Sequence, residues 1–239
     1  MTDTPHTKVA VVVGGGSGIG AACVREFAGA GYTVTAMSPS GRARELATSL
    51  GGAGVDGSNT DPSALRALVD LTLDRYGRID AVVNSSGHAA RGPILEITDD
   101  EWAAGLDLYL LNVVRMARLV TPHLVAAGGG AIVNVSTAGA LEPSASFPVS
   151  VTMRAALASF AKLYATEYGP QGIRMNNVLP GFTKDDPAAV PAEWTAGIPL
   201  RRAQSTAELA RVIRFLASDE SAYITGQNLR ADGGETRSL

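Results

Sequence analysis

A glycine-rich loop near the start of the chain is the first group of residues that could do chemistry. Residues 14–20 read Gly-Gly-Gly-Ser-Gly-Ile-Gly and follow an apolar run at residues 9–13. Glycine lets backbone N–H groups approach a pyrophosphate closely, and a helix beginning near Ile19 would point its positive end at that anion. The pattern favours a dinucleotide site over a purely structural turn. The predicted cofactor contacts are Gly14, Gly16, Ser17, Gly18, Ile19 and Gly20.

The residues after the second apolar segment bear on which cofactor is bound. An acidic residue about 20 positions past the loop would hold the 2'-hydroxyl of an adenosine ribose. Ser38 stands at that place, and Ser40 and Arg42 follow it. Hydroxyl and guanidinium groups can accept a 2'-phosphate, so NADP(H) is favoured over NAD(H). Alternatively, Arg42 and Arg44 are simply the solvated start of a helix.

Four side chains outside the loop could transfer protons. His88 is a possible acid or base near neutral pH, and Glu142, Asp185 and Asp186 are candidate carboxylates. The alternative for each is an ordinary solvated residue on a surface loop.

The elements that must position these residues alternate along the chain. Apolar patterning predicts strands over 9–13, 33–37, 53–55, 79–84, 131–136, 174–178 and 227–231, and helices over 21–30, 62–76, 99–127, 150–168 and 206–216. This alternation predicts an α/β fold, a doubly wound parallel sheet with helices on both faces. Residues 180–202, here called the insert, form an irregular segment after a strand end, where ligands bind in such sheets.

Composition excludes several classes of function. A chain of 239 residues with 46% hydrophobic content can bury one large core, so a single domain over 1–239 is expected. The net charge of −3 is interspersed, and neither a basic cluster nor a membrane-length apolar stretch is present, so neither nucleic acid nor membrane is expected as a partner. Cys23 is the single cysteine, which excludes an internal disulfide, and no metal site is expected. The polar residues 1–8 carry no apolar signal core, and a cytoplasmic location is expected.

Over residues 8–235 the chain resembles the short-chain dehydrogenase/reductase family. Besides the glycine loop, the motifs that carry this resemblance are Asn-Ser-Ser-Gly at 84–87, where the family has Asn-Asn-Ala-Gly, Ile-Val-Asn-Val-Ser at 132–136, Asn-Val-Leu-Pro-Gly at 177–181, Ile-Thr-Gly-Gln at 224–227 and Asp-Gly-Gly at 232–234. The resemblance implies a Rossmann fold and hydride transfer between a nicotinamide ring and a carbonyl or alcohol substrate under the insert. It also implies a homotetramer or homodimer, and further cofactor contacts from Ser58, Asn84, Gly87, Pro180 and Gly181.

The positions that match the family's catalytic tetrad are all substituted. The resemblance places Tyr109 at the family's asparagine, Thr137 at its serine, Ser150 at its tyrosine and Arg154 at its lysine, and none of the six tyrosines has a lysine four places later. Thr137 can still hydrogen-bond a substrate oxygen, and Arg154 can still bond a ribose. Ser150 is the severe change, because an aliphatic hydroxyl is a much weaker acid than a phenol. Tyr109 could supply a phenol from the opposite side, or could simply pack against the helix that carries Ser150.

Three functions therefore stay open. The first is an NADP(H)-dependent oxidoreductase that uses non-standard catalytic groups. The second is a catalytically silent nucleotide-binding subunit paired with an active, paralogous relative. The third is a non-redox enzyme, such as a lyase or isomerase, on the same fold.

Overall fold

Seven parallel strands form the central sheet in the part of the chain that the computed structural model describes, residues 7–238. The predictions for residues 1–6 and 239 lie outside it. The strands are β1 (Val9–Val13), β2 (Thr33–Ser38), β3 (Ala53–Asp56), β4 (Ala81–Asn84), β5 (Gly130–Val135), β6 (Ile173–Pro180), β7 (Thr183–Lys184), β8 (Gln204–Ser205) and β9 (Asn228–Ala231). The main sheet has the order β3-β2-β1-β4-β5-β6-β9, and β7 pairs with β8 separately.

Helices cover both faces of this sheet. They are α1 (Gly18–Gly29), α2 (Arg42–Ser49), α3 (Pro62–Tyr76), α4 (Asp99–Leu106), α5 (Asn112–Ala126), α6 (Pro148–Tyr168) and α7 (Thr206–Ala217). One core holds apolar side chains of α1, α2 and α7, and the other holds those of α3, α5 and α6. In β1, Ala10 and Val12 face the first core while Val11 and Val13 face the second, as the alternation of a strand requires. The predicted doubly wound α/β fold is confirmed.

The predicted helix over 99–127 is wrong as a continuous α-helix. A five-residue π-helix, Asp107–Leu111, separates α4 from α5. The amide of Asn112 donates to the carbonyl of Leu108 at 2.6 Å, and that of Asn59 approaches the same oxygen at 3.5 Å. Side-chain donors that take a carbonyl of the helical ladder favour such a widened turn, and π-turns often occur at functional sites.

Most element ends differ from prediction by one to three residues, and two differences have a visible local cause. Helix α2, named only as the alternative for Arg42 and Arg44 and given no bounds, begins after Gly41, whose φ of 74° is left-handed. The fourth strand begins at Ala81 and not at residue 79, because the Asp80 carboxylate turns back to accept the backbone N–H of Val9 at 2.7 Å.

A ladder of four asparagines crosses the sheet beneath the carboxyl ends of the strands. Asn84 donates to Asn134 at 2.9 Å, Asn134 to Asn177 at 2.9 Å, and Asn177 to Asn228 at 2.8 Å. These residues are register partners on β4, β5, β6 and β9. The first three are buried, so each amide satisfies its neighbour where water cannot. The ladder therefore fixes the end of β4, from which the next segment enters the site.

The insert is mostly irregular, as predicted. It contains β7 and two short 3₁₀ turns, Pro187–Ala189 and Ala192–Thr195. The rings of Phe182 and Trp194 lie 6.3 Å apart, which gives the insert a small apolar contact of its own. None of the helices within residues 7–238 is long and apolar enough to cross a membrane.

Candidate functional site

A cleft of about 760 Å³ opens at the carboxyl ends of the strands. It lies where the strand order changes direction, because β2 pairs with one edge of β1 and β4 pairs with the other. The glycine loop, the ends of β2 and β3, the segment after β4 and part of the insert line it. Nine of the predicted cofactor contacts line this cleft: Gly14, Gly16, Ser17, Gly18, Ile19, Ser38, Arg42, Ser58 and Gly87.

The glycine loop is shaped so that its backbone forms one side of the cleft. A Cβ at Gly14 would lie 2.4 Å from the carbonyl of Ser85, and one at Gly16 would lie 2.5 Å from the Ser38 hydroxyl. Gly18 has a left-handed φ of 50° and has no atom within 4 Å of where its Cβ would stand. Helix α1 begins there without an acidic residue in its first turn and without a side-chain cap. Its free N–H groups therefore fit a pyrophosphate.

The other end of the cleft carries hydroxyls and a guanidinium. Arg42 donates to the Ser40 hydroxyl at 3.2 Å, and both residues line the cleft. Ser38 is buried, and its hydroxyl accepts the N–H of Ala43 at 3.1 Å. Arg44 is held by Asp56 at 3.0 Å, and this partner raises the pKa of Arg44. Arg42, in contrast, has no acidic partner among residues 7–238 and is available to a phosphate.

Ser58 lines the cleft beside Gly57 and Asn59, at the end of β3. Its hydroxyl lies 2.7 Å from that of Thr60 and accepts the Thr60 N–H at 3.2 Å. The hydroxyl thus shapes its own turn, while Gly57 and Asn59 complete this side of the cleft.

Arg154 and Tyr109 form a buried stack beside the cleft. The guanidinium of Arg154 lies 4.3 Å from the centre of the Tyr109 ring, bonds the carbonyl of Val135 and donates to the Ser86 hydroxyl at 3.2 Å. Burial lowers the pKa of Arg154 to about 10, so it stays charged at neutral pH. The Tyr109 hydroxyl donates to the carbonyl of Gly87 at 3.2 Å and accepts the N–H of Ala89 at 2.8 Å.

The four tetrad positions do not line the cleft. Besides the Arg154–Tyr109 stack, Ser150 accepts a hydrogen bond from Arg154 at 3.3 Å, and Thr137 accepts the N–H of Gly139 at 3.3 Å. Of the two alternatives for Tyr109, the structure fits an aromatic side chain packed against the helix of Ser150. Its hydroxyl already accepts one hydrogen bond and donates another. The Arg154 guanidinium donates to Ser86, which lines the cleft, while Arg154 itself does not line it; that Arg154 bonds a ribose stays a prediction.

Other predicted cofactor residues support the cleft from outside. Asn84 is held in the asparagine ladder, and Gly20 packs against the carbonyl of Gly14, 2.0 Å from where a Cβ would stand. Pro180 pairs with Ala231 at the end of β6, and a Cβ at Gly181 would lie 2.9 Å from the Cα of Asp232. These four residues shape strands and turns and do not line the cleft.

Ionisable groups of the cleft come from two places besides Arg42. His88 is exposed on the segment after β4, and Lys184 and Asp185 belong to the insert. Asp185 accepts the Thr206 hydroxyl at 2.9 Å, and the Lys184 ammonium lies 5.4 Å from the centre of the Phe182 ring.

The other two candidate carboxylates are engaged elsewhere. Glu142 accepts the N–H of Ser238, which lowers its pKa, and Asp186 accepts the N–H of Ala188 at 3.1 Å. Neither lines the cleft.

Sequence reasoning missed several residues that line the cleft. They are Met37, Gly57, Asn59, Ser85, Ser86, Leu108, Thr183, Lys184 and Thr206. Most of them follow a strand directly, and that position is the signal that could have identified them. Within residues 7–238 there is no group of three or more metal-ligating His, Cys, Asp or Glu side chains.

Comparison with known proteins identifies relatives along almost the whole chain. Residues 13–236 match the family model described as enoyl-(acyl carrier protein) reductase. Oxidoreductase UcpA of Escherichia coli K12 is 31% identical, covering 96% of this chain and 94% of that protein. The 3-oxoacyl-[acyl-carrier-protein] reductases FabG of Chlamydia muridarum and Thermotoga maritima are each 32% identical, covering 95% of this chain and 96% and 97% of those proteins.

Proposed function

The chain belongs to the short-chain dehydrogenase/reductase family, and from that premise we propose that it is an NADP(H)-dependent oxidoreductase with non-standard catalytic groups. One observation carries the proposal. The glycine loop, whose backbone N–H groups fit a pyrophosphate, and the hydrogen-bonded pair Ser40 and Arg42 line the same cleft. In the described part of the chain, the Arg42 guanidinium has no acidic partner.

Different residues of the cleft bind different parts of the proposed cofactor. The N–H groups at Gly16 to Ile19 hold the pyrophosphate, and Arg42 with Ser40 holds the 2'-phosphate. A bound nicotinamide would supply or accept the hydride. The segment of Ser86 to His88 and the insert residues Lys184 and Asp185 lie around the remaining space, where a carbonyl or alcohol substrate would bind.

Cofactor titration tests this proposal. Purified protein is titrated with NADPH and with NADH, and nicotinamide fluorescence and melting temperature are followed. A hundredfold excess over the dissociation constant stabilises the fold by about 2.7 kcal/mol, or roughly 5–10 °C in a protein of this size. Binding of NADPH at least tenfold tighter than NADH is expected. Failure of both to bind at millimolar concentration would overturn the proposal. Acetoacetyl-coenzyme A is the first carbonyl to test, because two relatives are named as 3-oxoacyl reductases.

A silent subunit is the second candidate function. It is favoured by the mutual engagement of Ser150, Arg154 and Tyr109, which leaves the tetrad positions with a structural role. Under this alternative the protein binds NADPH, shows no turnover alone, and raises the activity of an added paralogous subunit.

We also propose a homodimer or homotetramer. Leu106 and Leu163, on α4 and α6, are 36% and 70% exposed, and Val125 near the end of α5 is 43% exposed. Apolar side chains on neighbouring helices are suited to burial against a second copy. Light scattering coupled to size-exclusion chromatography would show a monomer if this part of the proposal is wrong.

A further inference from the structure

The segment that carries His88 is held on both sides by one side chain. The Tyr109 hydroxyl donates to the carbonyl of Gly87 at 3.2 Å and accepts the N–H of Ala89 at 2.8 Å, so its two bonds flank residue 88. A loop residue fixed in this way keeps its side chain near one place, although the imidazole itself is exposed in the cleft.

The ring of Tyr109 is itself held in place by Arg154. Its ring lies against the Arg154 guanidinium, and Arg154 is bound to the end of β5 through Val135 and to the segment after β4 through Ser86. Arg154 is only 6% exposed, and its charge has no carboxylate partner among residues 7–238. A buried cation over an aromatic face is a stiff contact. The stack thus connects α6, the π-turn and the His88 segment.

Neither member of the stack is suited to exchange protons with a substrate. The phenol of Tyr109 is buried and has both hydrogen bonds filled, and a guanidinium does not deprotonate in the working range of an enzyme. The charged groups around His88 are Lys184 and Asp185 on the insert, Arg154 on α6 and Arg91 on its own segment. Asp185, the one of the four that could pair with an imidazolium, accepts the Thr206 hydroxyl and forms no ion pair with His88, and Arg91 lies 4.3 Å from the centre of the Phe147 ring.

Resting on the proposed oxidoreductase function, we infer that His88 is the proton-transfer residue of this enzyme and that Tyr109 is its positioning residue. Histidine is the side chain whose ordinary pKa lies closest to neutral pH. In the reducing direction, a bound NADPH would supply the hydride with its electron pair to the substrate carbonyl carbon and would be released as NADP⁺. The imidazolium N–H of His88 gives its proton to the carbonyl oxygen, so an alcohol forms. The neutral imidazole then regains a proton from water.

The first arm of the test needs no turnover. Protein labelled uniformly with ¹⁵N and with ¹³C at histidine Cε1 is titrated with NADP⁺, and the histidine resonances are assigned with His88→Gln and His123→Gln. We expect the His88 resonance to move and the His123 resonance, on the far part of α5, to stay. If the glycine-loop amides move but His88 does not, the inference is wrong while cofactor binding stands. If nothing moves, the proposed function fails first.

The second arm uses NADPH oxidation by acetoacetyl-coenzyme A. His88→Gln should lower kcat by about 10²–10⁴-fold, the usual contribution of general acid catalysis, with NADPH affinity unchanged. It should also remove from the pH profile of kcat the ionisation that the general acid contributes. Tyr109→Phe should lower kcat less and keep that ionisation, because the imidazole remains. A His88→Gln enzyme with wild-type kcat and pH profile would overturn the inference, and loss of activity in Lys184→Met would then assign the proton to Lys184. If the probe is not turned over, the resonance arm decides.

Discussion

Replacing Asn134 by leucine should be among the most costly single changes in this protein. Leucine copies the branched shape of asparagine but is larger, and it removes both hydrogen bonds that Asn134 makes in the ladder, each 2.9 Å long. The amide of Asn84 and the carbonyl oxygen of Asn177 would then be buried without partners. Each such group costs about 1–3 kcal/mol, so the free energy of unfolding should fall by about 2–6 kcal/mol.

The matched control is Asn228→Ala at the edge of the sheet. Asn228 is half-buried and makes only the last bond of the ladder, so its loss leaves one buried group, the Asn177 amide, without a partner, and the cost should be about 1–3 kcal/mol, half that of Asn134→Leu. Urea unfolding followed by circular dichroism, at one fixed protein concentration, gives both values. Equal costs for the two variants, or a cost below about 1 kcal/mol for Asn134→Leu, would show that the buried amides find other partners and would refute the reasoning.

Three further predictions follow from single contacts. Arg42→Ala should weaken NADPH binding roughly 10- to 100-fold and leave NADH binding unchanged, while Arg44→Ala, whose charge is already paired, should affect neither; equal loss in both variants would contradict the assignment. Arg201→Gly should raise the melting temperature, because Arg201 has a left-handed φ of 55° that costs about 1 kcal/mol in a residue with a side chain; an unchanged or lower temperature would show that its contacts offset the strain. Arg202 and the Ser205 cap lower the pKa of Glu208 to about 2, so its contribution to stability is present above about pH 4.5 and is lost as the pH falls towards 2; the melting temperatures of wild type and Glu208→Gln should converge over that range.

Local patterns predicted the parts of the fold that depend on neighbours in sequence. The glycine loop after β1 and the helix Pro62–Tyr76, begun by the Asp61 cap, are read directly from adjacent residues. The π-turn at Asp107–Leu111 was not read in this way; of the two amides that reach the Leu108 carbonyl, Asn112 is local, but Asn59 lies almost fifty positions away in sequence. The ladder likewise needs the register of four strands that are distant in sequence.

Five of the predicted residues that line the cleft belong to the glycine loop, whereas Ser38, Arg42, Ser58 and His88 were predicted for their side chains. Glycine-loop contacts follow from conformation, which sequence specifies locally. The side-chain roles do not, because Arg154 and Tyr109 could each have faced the cleft or the interior. Their stacking depends on tertiary packing. In the folded chain His88 lines the cleft, and the four tetrad positions do not.

The Arg154–Tyr109 stack limits what substitutions at positions 150 and 154 can achieve. A lysine at 154 has no planar face for the Tyr109 ring and cannot bond Val135 and Ser86 with two separate nitrogens. The double variant Ser150→Tyr with Arg154→Lys carries the family's tyrosine and lysine. It should therefore loosen the His88 segment and oxidise NADPH at a lower turnover rate than the wild-type chain supports. Arg154 and Tyr109 hold each other in place, so we expect that exchanging positions 150 and 154 for the family's residues does not by itself raise turnover. A gain in turnover by the double variant would disprove that dependence.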